Sequence, residues 1–229
     1  RVTDAISDVL LVSDPAGLDH LEREGVASNK ITYVGNVMID TLVAAREIAE
    51  RSEVVEQMGL SPREYLLVTL HRPSNVDEPE TLVALLEAIE QLEPDLKNVF
   101  PIHPRTRQRL ENAGVELDPE RWLLTEPLGY FEFLRLQMAA RAVLTDSGGI
   151  QEETTVLGVP CVTVRDNTER PVTIVEGTNV LAGTRPEAID EAYREALDKA
   201  DRGRVPKYWD GRAAERVVDA LDAALGRFA

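Results

Sequence analysis

The sequence predicts an α/β fold in which a parallel sheet carries helices on both faces. Three observations lead there. Short aliphatic runs alternate with longer amphipathic segments along the chain. The balance of 43% hydrophobic and 29% charged residues is ordinary for a globular protein. Polar, chemically capable residues recur just after the aliphatic runs, where parallel sheets of this kind bind ligands.

Each element has its own reason. Residues 9–12 read as the first strand, and residues 1–11 as a strand approach entered midway, as in a piece of a longer protein. The first helix is expected at 16–24, after Asp14 as cap and Pro15 in the first turn. A strand at 31–34 ends at Gly35-Asn36, a turn signal and plausible boundary. A helix at 38–51 follows, then a strand at 65–69 and a helix at 80–91, both helices showing apolar residues at helical spacing. Strands are expected at 98–102 and 122–124, a helix at 130–139, a strand at 142–145 and a helix at 150–157. Strands at 161–164 and 179–181, then helices at 186–200 and 213–225, complete the reading. There is no internal repeat or low-complexity tract.

Composition narrows the function. With 41 acidic against 25 basic residues the net charge is −16, which argues against a general nucleic-acid or membrane-surface binder. Lysine occurs only at Lys30, Lys97, Lys199 and Lys207; abundant acid with scarce lysine suits a high-salt cytoplasm. No window is long and apolar enough for a membrane span, and there is no basic-then-apolar leader at the start. The single cysteine, Cys161, sits in an apolar run and reads as a small core residue in a reducing compartment, so a cytoplasmic location is expected. Metal-binding spacings such as HExxH or paired cysteines are lacking, and no metal site is expected.

The stretch LTDSGGIQEE (144–153) is the richest. Two readings of Ser147, Gly148 and Gly149 stand side by side. One is a helix N-terminus whose free amides bind phosphate. The other is a tight turn capped by Asp146 or Ser147. Glu152 and Glu153 follow in the first turn, pointing about 100° apart, so they do not share a role. One of them is placed to accept hydrogen bonds from a ribose diol. VTLHRPSNVDEPETL (68–82) brings His71 and Arg72 straight off a strand: a group that titrates near neutrality beside a planar anion fork. RDNTERP (165–171) is either a salt-bridged loop or brings an arginine to the same anion. His103, in PIHPRTR, also follows a strand, whereas His20 reads as surface.

Together, GNVMID (35–40), VTLHRPSNVDEP (68–79), PLGYFEFL (127–134), LTDSGGIQEE, RDNTERP and EGTNVLAGT (176–184) resemble the non-hydrolysing UDP-N-acetylglucosamine 2-epimerases over nearly the whole chain. The resemblance implies a GT-B-like fold of two Rossmann-like domains, no cofactor, and a UDP-sugar as substrate. It implies that His71 is the active-site histidine near the diphosphate. It makes Ser147, Gly148 and Gly149 the phosphate cradle, Glu153 the ribose carboxylate and Arg170 the arginine near nucleotide and sugar. The loop from Leu128 to Phe133 would hold uracil, with Leu128 in contact through its backbone. Arg72 and His103 resemble residues of the site where bacterial members bind a second substrate molecule as activator.

The resemblance also implies the reaction: UDP leaves as the C2 proton is lost, and adds back after reprotonation on the other face. The family's N-terminal segments, a GTRPE-type opening, an aspartate and glutamates before an asparagine–arginine pair, are not in this chain, whose own GTRPE (183–187) lies far from its start. The expectation is therefore that residues 1–36 are the last elements of a truncated first domain. Residues 37–211 would be the UDP-binding domain, and 212–229 a helix crossing back toward the first. Such a piece would bind UDP without epimerising it, and the full-length protein would be a homodimer. The alternatives are a GT-B glycosyltransferase donor domain, a non-catalytic UDP-sugar-binding module, and a hydrolysing epimerase that releases free sugar.

Overall fold

The structure, a computed structural model, describes residues 1–228. In chain order the first elements are α1 (Val2–Ile6), β1 (Leu10–Val12), α2 (Pro15–Arg23), β2 (Ile31–Tyr33), α3 (Val37–Glu50) and α4 (Val54–Gln57). Next come β3 (Tyr65–Thr69), α5 (Pro73–Val76), α6 (Pro79–Glu90), β4 (Lys97–Pro101), α7 (Pro104–Asn112), β5 (Trp122–Thr125) and α8 (Tyr130–Ala139). Then follow β6 (Ala142–Thr145), α9 (Gly148–Leu157), β7 (Cys161–Thr163), α10 (Pro171–Val175), β8 (Asn179–Leu181), α11 (Ile189–Ala200) and α12 (Ala213–Phe228). The chain divides into two compact units, one of residues 46–204 and one of residues 1–45 with 205 onward.

The 46–204 unit is built on a six-stranded sheet in the order β5-β4-β3-β6-β7-β8, with every neighbouring pair parallel. Side chains alternate across the sheet. Leu66, Val68, Phe100, Ile102, Ala142, Leu144 and Val162 fall in one core cluster, while Tyr65, Leu67, Val99 and Val143 fall in the other. Both faces are therefore covered, as the aliphatic runs predict. Helix α6 brings Leu82, Leu85, Leu86 and Ile89 to the first face at helical spacing. Each such side chain contributes about 1.5–3 kcal/mol by leaving water. Helices α4 and α8 cover the other face with Val54, Val55, Leu136 and Ala139. Tyr65 is fully buried, and its hydroxyl donates to the Leu136 carbonyl at 2.6 Å.

The other unit pairs β1 and β2 in parallel, with Leu10 opposite Ile31. Asp14 caps α2 by accepting the amides of Ala16 and Gly17, with Pro15 in the first turn. Gly35 has φ 89°, and a Cβ there would collide with the Tyr208 carbonyl oxygen, so only glycine suits this turn. The Asp40 carboxylate accepts the amides of Ala213 and Ala214, at 3.0 and 2.7 Å, and caps α12 from a different part of the chain. Trp209 is buried, and its indole N–H donates to the Ser13 carbonyl at 3.0 Å.

Residues 1–11 do not form a strand approach throughout, because Val2–Ile6 is helical and β1 starts at Leu10. The segment expected as one helix at 186–200 begins with a 3₁₀ turn, Pro186–Ala188, before α11. Helices α4, α5 and α7 lie where no helix was expected. Cys161 is fully buried, and burial pushes its thiol up to about 12, which leaves it inert.

Candidate active site

The chemistry-bearing residues gather where the strand order reverses. Strands β3 and β6 lie side by side at the centre of the sheet, and the chain builds outward from them toward opposite edges. Loops leaving such strands part and open a crevice at their carboxyl ends. His71 follows β3, Ser147 follows β6 and Arg165 follows β7.

At the end of β6 the structure separates the two readings of the glycine turn. Helix α9 has no side-chain cap. The Ser147 amide donates to Thr145 Oγ1 at 3.0 Å, and the Asp146 carboxylate is turned toward a different loop. Gly148 and Gly149 occupy the first turn of α9, where amides have no acceptor within the helix. Neither glycine has a positive φ, so the backbone conformation does not call for glycine. A Cβ on Gly149 would meet nothing within 4 Å, and one on Gly148 only Glu169 Oε2 at 4.0 Å. Side chains would fit; what glycine provides is close access to the backbone at the positive end of a helix dipole.

Asp146 is fully buried and organises the β3 loop. It accepts the amides of His71 and Arg72, the latter at 2.8 Å, and Asn75 Nδ2 at 3.1 Å. His71 Nδ1 lies 2.7 Å from Oδ1. Asn75, buried, also donates to the Val164 carbonyl at 2.9 Å, which ties the loop to the end of β7. Burial pushes the Asp146 carboxyl up, but the hydrogen bonds from the His71 ring and from the Arg72 and His71 amides outweigh it and hold it below the usual carboxylate range. The hydrogen bond to Asp146 raises the His71 pKa, against partial desolvation.

The two glutamates divide. Glu152 is buried and sits 2.6 Å from Arg170 Nε. Glu153 accepts from Gln137 Nε2 at 2.6 Å and from the Tyr130 hydroxyl at 3.1 Å. Burial raises the Glu153 pKa, and those two donors partly offset it. Between the glycine turn and the Arg170 loop runs a buried amide network. Gln151 donates to the Ser147 carbonyl at 3.1 Å and accepts from Thr168 Oγ1 at 2.6 Å and from Asn179 Nδ2 at 3.3 Å. Thr168 in turn accepts the Arg170 amide at 2.9 Å.

The other candidates are more scattered. Leu128 and Phe133 are half-buried and pack against the core on the α8 face, while Tyr130 and Phe131 on the same helix stay more open. Arg72 lies in a cleft of about 450 Å³ with Ser74, Thr81, Arg165 and Asn167. His71 and His103 share another, of about 380 Å³, with Asp77, Arg105 and Arg109. Arg72 and His103 therefore line different clefts. His103 also caps α7, its Nδ1 accepting the Arg105 amide at 3.2 Å. Sequence reasoning passed over Asn75, Gln137, Gln151, Thr168 and Asn179. The available signal was a fully polar amide set among apolar residues, as at Gln137. Among the described residues no group of three or more His, Cys, Asp or Glu is placed to hold a metal ion, and no helix is long and apolar enough to cross a membrane.

A doubly wound parallel sheet with an uncapped glycine turn at its switch point defines a GT-B-like α/β protein. The chain belongs to the UDP-N-acetylglucosamine 2-epimerase family, whose profile matches residues 1–222. It is 40% identical over 228 residues to a UDP-N-acetylglucosamine 2-epimerase of Methanocaldococcus jannaschii, covering 96% of this chain and 62% of that protein. It is 36% identical to the UDP-2,3-diacetamido-2,3-dideoxy-D-glucuronate 2-epimerase of Pseudomonas aeruginosa, covering 96% of this chain and 61% of that one. The crystal structure of the M. jannaschii epimerase in complex with UDP-GlcNAc and UDP superposes with a TM-score of 0.85 at 38% identity, over 97% of this chain and 63% of that one. The chain thus spans about 62% of the length of that curated relative.

Proposed function

We propose that this chain holds the UDP part of a UDP-sugar for a protein that interconverts UDP-N-acetylglucosamine and UDP-N-acetylmannosamine. The observation that carries the reading is the uncapped first turn of α9, with glycines whose conformation does not require them, set beside His71. The co-structure of the M. jannaschii relative with UDP-GlcNAc and UDP supports the same ligand class.

In this reading the Gly148 and Gly149 amides, with Ser147, take the diphosphate, where backbone dipoles stabilise charge without reorganising. Glu153, pinned by Gln137 and Tyr130, accepts from the ribose hydroxyls. The turn from Leu128 to Phe133 faces uracil, with Leu128 in contact through its backbone. Arg170 reaches the nucleotide side and Glu152 fixes its guanidinium. Elimination breaks the C1–O bond, with the electron pair leaving on UDP as the C2 proton is removed. Re-addition forms the C1–O bond again after C2 is protonated on the opposite face. His71 stands by the diphosphate in both directions. An activator site for a second substrate molecule would have to draw on both clefts, Arg72 from one and His103 from the other, and the whole protein works as a homodimer.

All of these residues lie within the 46–204 unit. Residues 1–36 and the helix from 212 onward belong with the first domain of the whole protein. These 229 residues alone bind UDP and do not turn over UDP-N-acetylglucosamine. Titration calorimetry with UDP and NMR of the nucleotide-sugar pool test both statements. Absence of UDP binding, or appearance of UDP-N-acetylmannosamine with these residues alone, overturns the reading.

A further inference from the structure

We propose that Asp146 is a positioning residue for His71, holding Nδ1 inward so that Nε2 is the atom presented to the diphosphate. This rests on the UDP-sugar reading above and assigns the working form of its histidine.

Asp146 is not a helix cap. It takes no amide from α9, because the Ser147 amide goes to Thr145 Oγ1. Instead the carboxylate serves another strand's loop. Oδ1 receives the His71 ring, and Oδ2 receives the amides of His71 and Arg72 with Asn75 Nδ2, at 3.0, 2.8 and 3.1 Å. A carboxylate sealed from water needs its lone pairs filled in this way to stay ionised. Three of the four donors are amide N–H groups that an uncharged acceptor would also satisfy in part. The fourth is an imidazole that is more than half exposed and has room to turn outward. Its pairing to this buried carboxylate fixes the ring and selects the Nδ1–H tautomer.

Charges of both signs face the ring. Arg72 and Arg165 oppose its protonation. Asp77, His103, Arg105 and Arg109 line the cleft it shares. Asp146 makes the closest contact and decides the balance. When the ring is protonated, its second proton sits on Nε2, and His71 donates it to a diphosphate oxygen as the C1–O bond breaks. It takes the same proton back when the bond re-forms, so no net proton is exchanged. In that form His71 does not remove the C2 proton.

The test is an NMR titration of the histidines of the 229-residue chain, with His71 assigned by its loss in His71→Gln. The expected result is a His71 midpoint above those of His20 and His103, a neutral form protonated on Nδ1, and a fall of the midpoint in Asp146→Asn. UDP-N-acetylglucosamine, whose diphosphate does not titrate between about pH 6 and 9, should bind about tenfold more weakly at the upper end, and His71→Gln should flatten that profile. Should Asp146→Asn not fold, Asn75→Ala removes a partner of the carboxylate other than the ring and must leave the His71 midpoint raised. A His71 midpoint equal to that of His20, an Nε2–H neutral tautomer, or an unchanged midpoint in Asp146→Asn overturns the proposal. Failure of UDP-N-acetylglucosamine to bind at any pH overturns the UDP-sugar reading instead, since the titration needs no ligand.

Discussion

The guanidinium of Arg170 lies 2.6 Å from the carboxylate of Glu152, while the adjacent Glu153 turns to Tyr130 and Gln137. Neighbours in sequence thus serve different surfaces of one helix. Glu153→Ala should weaken UDP binding about tenfold or more, the weight of a hydrogen bond to a charged group. Glu152→Ala should lower the melting temperature, because it leaves a guanidinium without its carboxylate, and should change UDP affinity less. Calorimetry and thermal melts of the two variants check this, and equal effects on affinity would refute the division.

Gly149→Ala separates folding from binding. No atom lies within 4 Å of the added Cβ, and alanine is the better helix former by about 0.5–1 kcal/mol. The variant should melt at or above the parent temperature, yet bind UDP at least about tenfold more weakly, a loss of roughly 1.4 kcal/mol. Undiminished binding would remove the backbone cradle from the proposal.

Gln151→Leu should destabilise the 46–204 unit by about 2–4 kcal/mol. It leaves the Ser147 carbonyl, the Thr168 hydroxyl and the Asn179 amide short of a partner inside the protein, at about 1–3 kcal/mol for each group left wholly unpaired. Urea unfolding monitored by tryptophan fluorescence measures it. A change within about 0.5 kcal/mol would mean that the network is dispensable.

Stability should respond to pH through the His71–Asp146 pair, and the two residues act at opposite ends. Asp146 has a lowered folded-state pKa, so its contribution is present above the unfolded carboxylate value and is lost as pH falls through the folded one. His71 has a raised folded-state pKa. Its contribution is complete below the unfolded value and is lost as pH rises through the folded one. The stability gap between the parent and His71→Gln should therefore be widest near pH 6 and close toward higher pH. Denaturant midpoints across that range measure it, and a gap that widens with pH would contradict the pairing.

Much of the fold was readable because fully buried parallel strands leave unbroken aliphatic runs. Tyr65–Thr69, Ala142–Thr145 and Asn179–Leu181 have the predicted bounds. Helix α7 escaped because only Thr106 and Leu110 are buried in an otherwise polar segment, too little apolar surface to set a period. Helices α4 and α5, of four residues each, are too short for periodicity to act on. At the site, sequence position alone brought His71, Ser147 and Arg165 to neighbouring strand ends. The pairing of Glu152 with Arg170, and of Asp146 with His71 and Asn75, was not readable. Those partners lie on different strands' loops, and hydrogen bonding between them leaves no periodic trace.

The cap that Asp40 gives to α12 also sets an order of events during synthesis. Its two ends are separated by 173 residues, so the amides of Ala213 and Ala214 do not exist when α3 leaves the ribosome. Trp209 reaches Ser13 across a comparable span. The continuous 46–204 unit can close its sheet first, whereas the Asp40 and Ser13 contacts must wait until residues 209–214 have been made. During that interval residues 1–45 lack their partners from residues 209–214, and they are the part of this chain that a chaperone would meet.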